Sequence, residues 1–427
     1  MARFYNLNDW LTWQEGLHSA EIDMGLERVY QVALNLNLIN PPSVISHNYS
    51  GELCGKQTVV TVAGTNGKGS CISTLQQSLI SQEYQVGSYT SPHLHHYCER
   101  ICVNGLPVSE RSVCDAFEAI DQARGNISLT YFEFGTLAAL WIFVQAKLDY
   151  VLLEVGLGGR LDAVNIVDTD IAIITSIDID HQDWLGDNRD VISAEKLGIA
   201  RASRPLIIAE TALTPNLHLA IKTYSAHVVD QNYSYEVIDS NSWCLNIGDQ
   251  QLRLAMPSLA LSSVAAALYV LTLLEKIPKD LNGLMSKLNM SGRFECASAN
   301  NIPVIYDVAH NPAAALLLSK RLHNSPIEGK TMAVVAMMRD KDVEAIFTCL
   351  ADDIEHWYIS GLIQTARAAT VDELIPVLER HNQAFTASDT IESAFQTALT
   401  VAEPHDRIVV FGSFFTVAAV QSVVSDL

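Results

Sequence analysis

The stretch TVVTVAGTNGKGSCISTLQQSL, Thr58 to Leu79, joins a β-branched run to an amphipathic one through a turn that holds three glycines and one lysine. A strand, a glycine turn and a helix start gather several backbone N–H groups and a helix N-terminus around one point, which makes a cradle for phosphate. Gly64, Gly67 and Gly69 let the backbone approach a ligand, and Lys68 can reach the outer phosphates. The strict pattern GxxxxGK[ST] fails twice, because Val62 stands five residues before Gly67 and Gly69 separates Lys68 from Ser70. A glycine turn that merely joins a strand to a helix is the plain alternative.

The same alternation runs along the rest of the chain. DYVLLEVG, DIAIITSI and RPLIIAE in the first part, then IPVIYDVA, TMAVVAMM, HWYIS and DRIVVFGS in the last, are strand candidates. Their near-continuous apolar character suits strands covered on both faces, so both parts read as doubly wound α/β with parallel sheets. Residues 230–254 alternate polar and apolar positions between turn signals, which predicts a small antiparallel excursion. Small and polar residues gather in NMSGRFECASANNIP, residues 289–303, and this divides the chain into domains 1–294 and 295–427.

Composition narrows the function. At 427 residues, 49% apolar and 18% charged, the chain reads as a soluble globular protein of more than one domain. A net charge of −21 argues against nucleic acid or an anionic membrane surface as partner, and an anionic small substrate would need a local cationic pocket. The eight cysteines form no CxxC pair and the first residues lack a secretory signal, so reduced thiols in a cytoplasm are expected. Leu254 to Leu274 carries no charge over 21 residues, but Pro257 and its serines favour a buried helix beginning near Ser262 over a membrane span.

A second glycine cluster, EVGLGGRLDA (Glu154 to Ala163), would need glycine at Leu161 to make a dinucleotide fingerprint, so a nicotinamide cofactor is set aside. Glu154 remains, an acid at the carboxyl end of a parallel strand, where open sheets bind ligands and where a carboxylate suits Mg²⁺. His181 in SIDIDHQDWLG follows another strand onto the same edge, although a hydrogen-bonded structural histidine is the commoner role. The SPHLHH run, with His93, His95 and His96, reads as an ordinary polar loop rather than a metal site.

Taken in order, IDMGLERV, VAGTNGKGS, YTSPHL, TYFEFGTLAALW, LEVGLGGRLDAVNIV, TSIDIDHQDWLG, EKLGIAR, SGRFE, YDVAHNP, MMRDKD and GSFFTVAAV make nearly the whole chain resemble the folylpolyglutamate synthase family of Mur-type amide ligases. The resemblance implies an N-terminal P-loop ATPase-type α/β domain, a smaller C-terminal Rossmann-like domain and an active site in the cleft between them. It implies that ATP phosphorylates a pteroate or folate carboxylate and that the amine of L-glutamate attacks the acyl phosphate. Expected substrates are 7,8-dihydropteroate, reduced folates, L-glutamate and ATP, with Mg²⁺ or Mn²⁺, a monovalent cation as a further ion, and no nucleic acid, membrane or second subunit.

Residue by residue, the resemblance implies nucleotide contacts at Thr65, Asn66, Gly67, Lys68, Ser263, Arg293 and Asp307, and metal ligands at Ser91, Glu154 and His181. Lys196 falls on a lysine that the family carbamylates, a change that turns a cation into an anionic carboxylate and adds Lys196 to the metal site, against the plain reading of a surface lysine on a helix. The folate set is Ile22, Asp23 and Met24, Thr130, Tyr131, Phe132 and Glu133, and Leu161, Asp162 and Ala163, with Thr130 and Glu133 also spaced as a helix capping box. Lys68, Lys196 and His310 are the catalytic candidates, and Asn311–Pro312 beside His310 also reads as a strand-to-helix turn. Ser263 departs from the family, which commonly carries asparagine there to contact adenine; serine offers a shorter side chain with one donor. A peptidoglycan-type ligase and a monofunctional folylpolyglutamate synthase remain rivals, and a GTPase-like switch lacks its NKxD motif.

Overall fold

A computed structural model describes residues 3–41, 49–362, 365 and 367–425. The chain forms two compact units. The first runs up to Ile238 and includes Ser242–Ala255 and Ala260–Leu288; the second begins at Asn289 and takes in Asp239–Asn241 and Met256–Leu259.

The first unit is built on eight strands: β1 (Thr58–Ala63), β2 (Val86–Tyr89), β3 (Ile101–Val103), β4 (Leu106–Pro107), β5 (Tyr150–Glu154), β6 (Ile171–Ile174), β7 (Pro205–Ile208) and β8 (Ser225–Val228). Their order is β8-β7-β6-β1-β5-β2-β3-β4, parallel from β8 to β2 and antiparallel over the last two pairs. β1 is central because TVVTVA is apolar on both faces, and all its residues after Thr58 are buried. The chain leaves β1 for β2 and β5 on one side and returns to β6 on the other, so the carboxyl ends of β6, β1, β5 and β2 lie side by side. Ligands of open α/β sheets bind at such an edge.

Helix α1 (Lys68–Ile80) packs Cys71, Ile72, Leu75 and Leu79 inward, a spacing of three and four that keeps them on one face. Helix α2 (Tyr131–Gln145) starts on the expected capping box: Thr130 Oγ1 accepts from Glu133 N, and Thr130 N donates to Glu133 Oε2 at 2.7 Å. Helix α3 (Arg189–Leu197) carries Lys196 in its last turn, and α4 (Leu261–Leu273) is the uncharged helix, buried over Ser263–Leu271. No helix among the described residues is long and apolar enough to cross a membrane. Tyr233–Asp239, Ser242–Ile247 and Gln250–Ala255 form the small three-stranded excursion, whose last two strands are antiparallel.

The second unit has a six-stranded sheet of β9 (Glu295–Ala299), β10 (Ile302–Tyr306), β11 (Thr331–Val335), β12 (His356–Ile359), β13 (Phe385–Ala387) and β14 (Arg407–Phe411), ordered β9-β10-β14-β11-β12-β13. Only β9 runs antiparallel to its neighbour; the rest is a parallel, helix-linked Rossmann-like sheet. Phe347, Trp357 and Phe411 fill its core.

Candidate active site

Gly67 turns the chain into α1 from φ 82°, a left-handed conformation that suits glycine, and a Cβ there would overlap Ser263 Oγ. The preceding turn is held to the segment after β6. Thr65 N donates to Ser176 O at 2.9 Å and Asn66 N to Ser176 Oγ at 2.9 Å. Thr175 Oγ1 donates to Asn66 O at 2.7 Å, and Thr65 Oγ1 both donates to Asp178 O and accepts from Asp178 N. Lys68 Nζ reaches back to Gly64 O at 3.0 Å and Thr65 O at 3.3 Å, so its cation sits over the turn. Ser263 Oγ is buried and makes no hydrogen bond among the described residues.

One strand over, Glu154 ends β5 as a buried carboxylate and accepts from Ser91 N at 3.3 Å, which brings two of the three expected metal ligands together. Strand pairing sets Val62 of β1 opposite Glu154, one residue before the end of β1. His181 lies beyond β6 at φ 52°, caps the short helix Gln182–Leu185, and has its ring 4.0 Å from Asp180 Oδ2. Among the described residues no three histidine, cysteine or carboxylate side chains cluster as a metal site. The SPHLHH turn is organised by Glu99, whose carboxylate accepts from the backbone N–H groups of Leu94, His95 and His96. Arg100 Nε donates to His93 Nδ1 at 2.8 Å; burial first, and then the Arg100 charge, pushes the His93 ring down to about 4.

Lys196 is buried, 4% exposed, within electrostatic reach of Lys68, Asp162 and Asp180. Burial, and then the Lys68 charge, pushes its amine down to about 7 from an ordinary 10.5, with Asp180 and Asp162 opposing. Asp162 is the knot of the GLGGRLDA loop: Gly156 N and Leu157 N donate to its Oδ2 at 3.0 and 2.8 Å, and Val164 N to its Oδ1 at 3.0 Å. Burial raises its pKa to about 6 in spite of those bonds and the Lys68 charge. The loop lies directly on the end of α3, where Arg160 N donates to Glu195 O at 2.7 Å, and a Cβ on Gly159 would come within 3.0 Å of Lys196 Cα.

Of the expected folate residues outside this loop, Phe132 and Met24 lie against it. Phe132 lies over Gly156, whose Cβ would meet the ring at 2.6 Å, and stands 5.8 Å from Tyr89; Met24 Cε is beside Gly158. Tyr131 shares the Arg100 guanidinium with Tyr97, each ring centroid 5.5 Å away. Asp23 binds Arg28, which also reaches Glu133, and burial pushes the Glu133 carboxyl up. Ala163 is buried in a short 3₁₀ turn, while Leu161 and Ile22 are half-buried.

In the second unit Asp307 accepts from Phe294 N and Ala309 N, both at 2.9 Å, and burial raises its pKa against the pull of Arg293 and Arg321. His310 Nδ1 donates to Val308 O at 2.8 Å. Asn311 caps the helix Pro312–His323 by accepting from Ala314 N, the strand-to-helix turn that the sequence allowed. Arg293 lies over Phe414, 5.0 Å from the ring centroid, and Arg321 donates to Ser258 O and covers Phe294.

Sequence reasoning missed His18, Arg28, Arg321, Thr175 and Ser176. The last two had a signal, a pair of hydroxyl residues directly after a buried strand on the ligand edge; His18 and Arg28 stand five residues either side of Asp23 and gain a second partner in Ser128 and Glu133, and Arg321 reaches Ser258.

Residues 292–414 match the family of the Mur ligase, glutamate ligase domain. The dihydrofolate synthase/folylpolyglutamate synthase of Escherichia coli K12 is 40% identical over 98% of this chain and 95% of its own. The E. coli FolC structure in complex with DHPP and ADP superposes with a TM-score of 0.90 at 38% identity, covering 99% of this chain and 98% of that one. The bifunctional folylpolyglutamate synthase/dihydrofolate synthase of Yersinia pestis, complexed with AMPPNP and a Mn ion, gives 0.88 at 39% identity, with coverage of 99% and 98%. With the glycine turn after β1 and the acidic end of β5 on one sheet edge, and this likeness over the full length, the chain belongs to the dihydrofolate synthase/folylpolyglutamate synthase family.

Proposed function

We propose that the chain joins L-glutamate to 7,8-dihydropteroate, giving dihydrofolate, and to the γ-carboxyl of reduced folates, giving folylpolyglutamates, at the expense of ATP. The observation that carries this reading is the convergence of the GTNGKGS turn, Ser91 and Glu154 on adjacent strand ends, in a chain of this family. A substrate carboxylate oxygen attacks the γ-phosphorus, the bond to the bridging oxygen breaks and ADP leaves. The glutamate amine then attacks the acyl carbon, loses a proton, and phosphate departs with the C–O electron pair.

The first step brings two anions together, so fixed positive charge and aimed N–H groups supply most of the acceleration. Lys68 and the backbone at Thr65, Asn66 and Gly67 would take the phosphates. A hydroxyl, a carboxylate and an imidazole are a donor set that Mg²⁺ or Mn²⁺ accepts, so Ser91, Glu154 and His181 would hold the ion, which would offset phosphate charge. Arg293, Asp307, His310 and Ser263 complete the nucleotide and catalytic set in this proposal, Asp23, Phe132, Glu133 and their neighbours the pteroyl set, and a monovalent cation, a monomeric state and a cytoplasmic setting belong to it too.

Lys196 as a carbamate is part of the same proposal: its neutral amine would add to CO₂ and release a proton, turning a cation into an anion. Its burial and an amine pushed down to about 7 support this, because only the unprotonated nitrogen reacts. A ¹³CO₂ carbamate signal should grow as pH rises through about 7 and vanish in Lys196→Arg; a parent spectrum without it refutes the carbamate. The ligase reading is tested with purified protein, Mg²⁺ATP and L-glutamate, offered dihydropteroate or a reduced folate in separate tubes. Turnover of both acceptors is expected, turnover of reduced folate alone would leave a monofunctional synthase, and turnover of neither would overturn the proposal.

A further inference from the structure

A chain of polar contacts runs from Ser128 to Glu133 by way of His18, Asp23 and Arg28, and the sequence words gave no role to His18 or Arg28. His18 Nδ1 is 2.9 Å from Ser128 Oγ, and His18 Nε2 is 3.0 Å from Asp23 Oδ2. A carboxylate can only accept, so Nε2 carries the proton, and in the neutral ring Nδ1 accepts from the Ser128 hydroxyl. From the other side Arg28 Nη1 donates to the same Asp23 Oδ2 at 2.6 Å, and Nη2 donates to Asp23 O at 2.9 Å. The same guanidinium stands 3.2 Å from Glu133 Oε1, which is buried and among the described residues otherwise without a hydrogen bond. Glu133 Oε2 closes the capping box of α2.

The asymmetry at Asp23 is the informative feature. One oxygen holds two donors, while among the described residues Oδ1 has no partner, and the side chain is 41% exposed. Two donors on one oxygen, and a third bond from the same guanidinium to the Asp23 backbone, fix the carboxylate plane. The free oxygen is therefore presented in a set direction. Arg28 also ties Asp23 to the first turn of α2, which carries Phe132 over Gly156.

We propose that Arg28 and His18 are positioning residues that clamp Asp23 so that its free oxygen accepts from the amino or ring N–H groups of the pteroyl substrate. The proposal rests on the placement of the pteroyl set given above. A planar carboxylate oxygen held from behind suits a ligand edge of N–H donors and does not suit a carboxylate or phosphate, so the clamp acts on the pterin end of the substrate. Arg28 forks between two acids, a geometry that lysine cannot reproduce.

The test compares full-length Arg28→Ala, Arg28→Lys, His18→Gln and Asp23→Ala for the KM of dihydropteroate and the KM of ATP, each with its melting temperature. Arg28→Ala is expected to raise the dihydropteroate KM about tenfold or more without moving that of ATP. Arg28→Lys should recover a part, and His18→Gln, which keeps a donor, should lose least. If Asp23→Ala raises the dihydropteroate KM while folded Arg28→Ala and His18→Gln do not, or if Arg28→Ala moves both KM values alike, the clamp is refuted. If Asp23→Ala leaves the dihydropteroate KM where it was, the placement of the pteroyl set falls, and the clamp with it.

Discussion

The turn at Thr65–Gly67 and the segment Ile22–Met24 sit in the same unit but are held by different forces. The turn is anchored by neutral groups, the backbone of Thr65 and Asn66 and the hydroxyls of Thr65, Thr175 and Ser176, in several bonds of 2.7 to 3.1 Å. Asp23 and Glu133 are anchored by the charge on Arg28, and Asp162 by backbone donors in a buried loop. Neutral bonds fix a shape whatever the pH, which suits the phosphate-binding role proposed for this turn. The buried carboxylates of Glu133 and Asp162 hold their shape at the cost of desolvation, so their geometry and ionisation are coupled.

The largest break in that comparison should come from Lys68→Met, which removes the cation from an otherwise intact turn. Ligase turnover should fall about a hundredfold or more, with a melting temperature near that of the parent; full-speed amide synthesis by a folded variant would contradict the role given to Lys68. Next in size is Gly67→Ala, which combines a left-handed φ with overlap on Ser263 Oγ and should cost about 2–3 kcal/mol by denaturant titration. Adding Ser263→Ala should return the overlap part and not the backbone part; simple additivity of the two changes would argue that they do not touch.

Asp162→Asn replaces an oxygen that accepts with an amide that donates, and should cost about 1–3 kcal/mol. Its pH signature runs in a definite direction. The folded state raises this pKa from 3.8 to about 6, so within that window it binds more protons than the unfolded chain, and this group makes stability fall as pH rises. The slope should flatten between those values in the asparagine variant, and an unchanged slope would count against a buried, raised Asp162. The smallest effect is expected from Ser263→Asn, where a longer amide adds donors beside the turn: activity should persist and the KM of ATP should drop by about threefold. A higher KM would mean that the space over Gly67 admits only a hydroxyl.

The same contrast explains what could be read from the sequence. The long apolar runs became the central strands because burial on both faces leaves no polar alternation to misread, and the turn after β1 was legible because glycines, lysine and helix start are contiguous. β2 was missed: VGSY is short and carries glycine and serine, so its place between β5 and β3 is imposed by packing rather than by pattern. Arg28 finds Glu133 at a separation of 105 residues and Asn66 finds Ser176 at 110, pairings that no local spacing encodes. Asp162 has a further role that its sequence context does not announce, since its carboxylate serves three backbone donors within the loop.

Gly159 has an effect that reaches beyond its own loop. Because no side chain separates it from the end of α3, the GLGGRLDA segment and the turn bearing Lys196 abut backbone to backbone, with a further bond from Arg160 N to Glu195 O. Peptide planes in such contact have little slack, so a shift of a fraction of an ångström on one side is handed to the other. An alanine at 159 would press on Glu195 O and on Lys196 Cα, so the loop and the end of α3 can only move together.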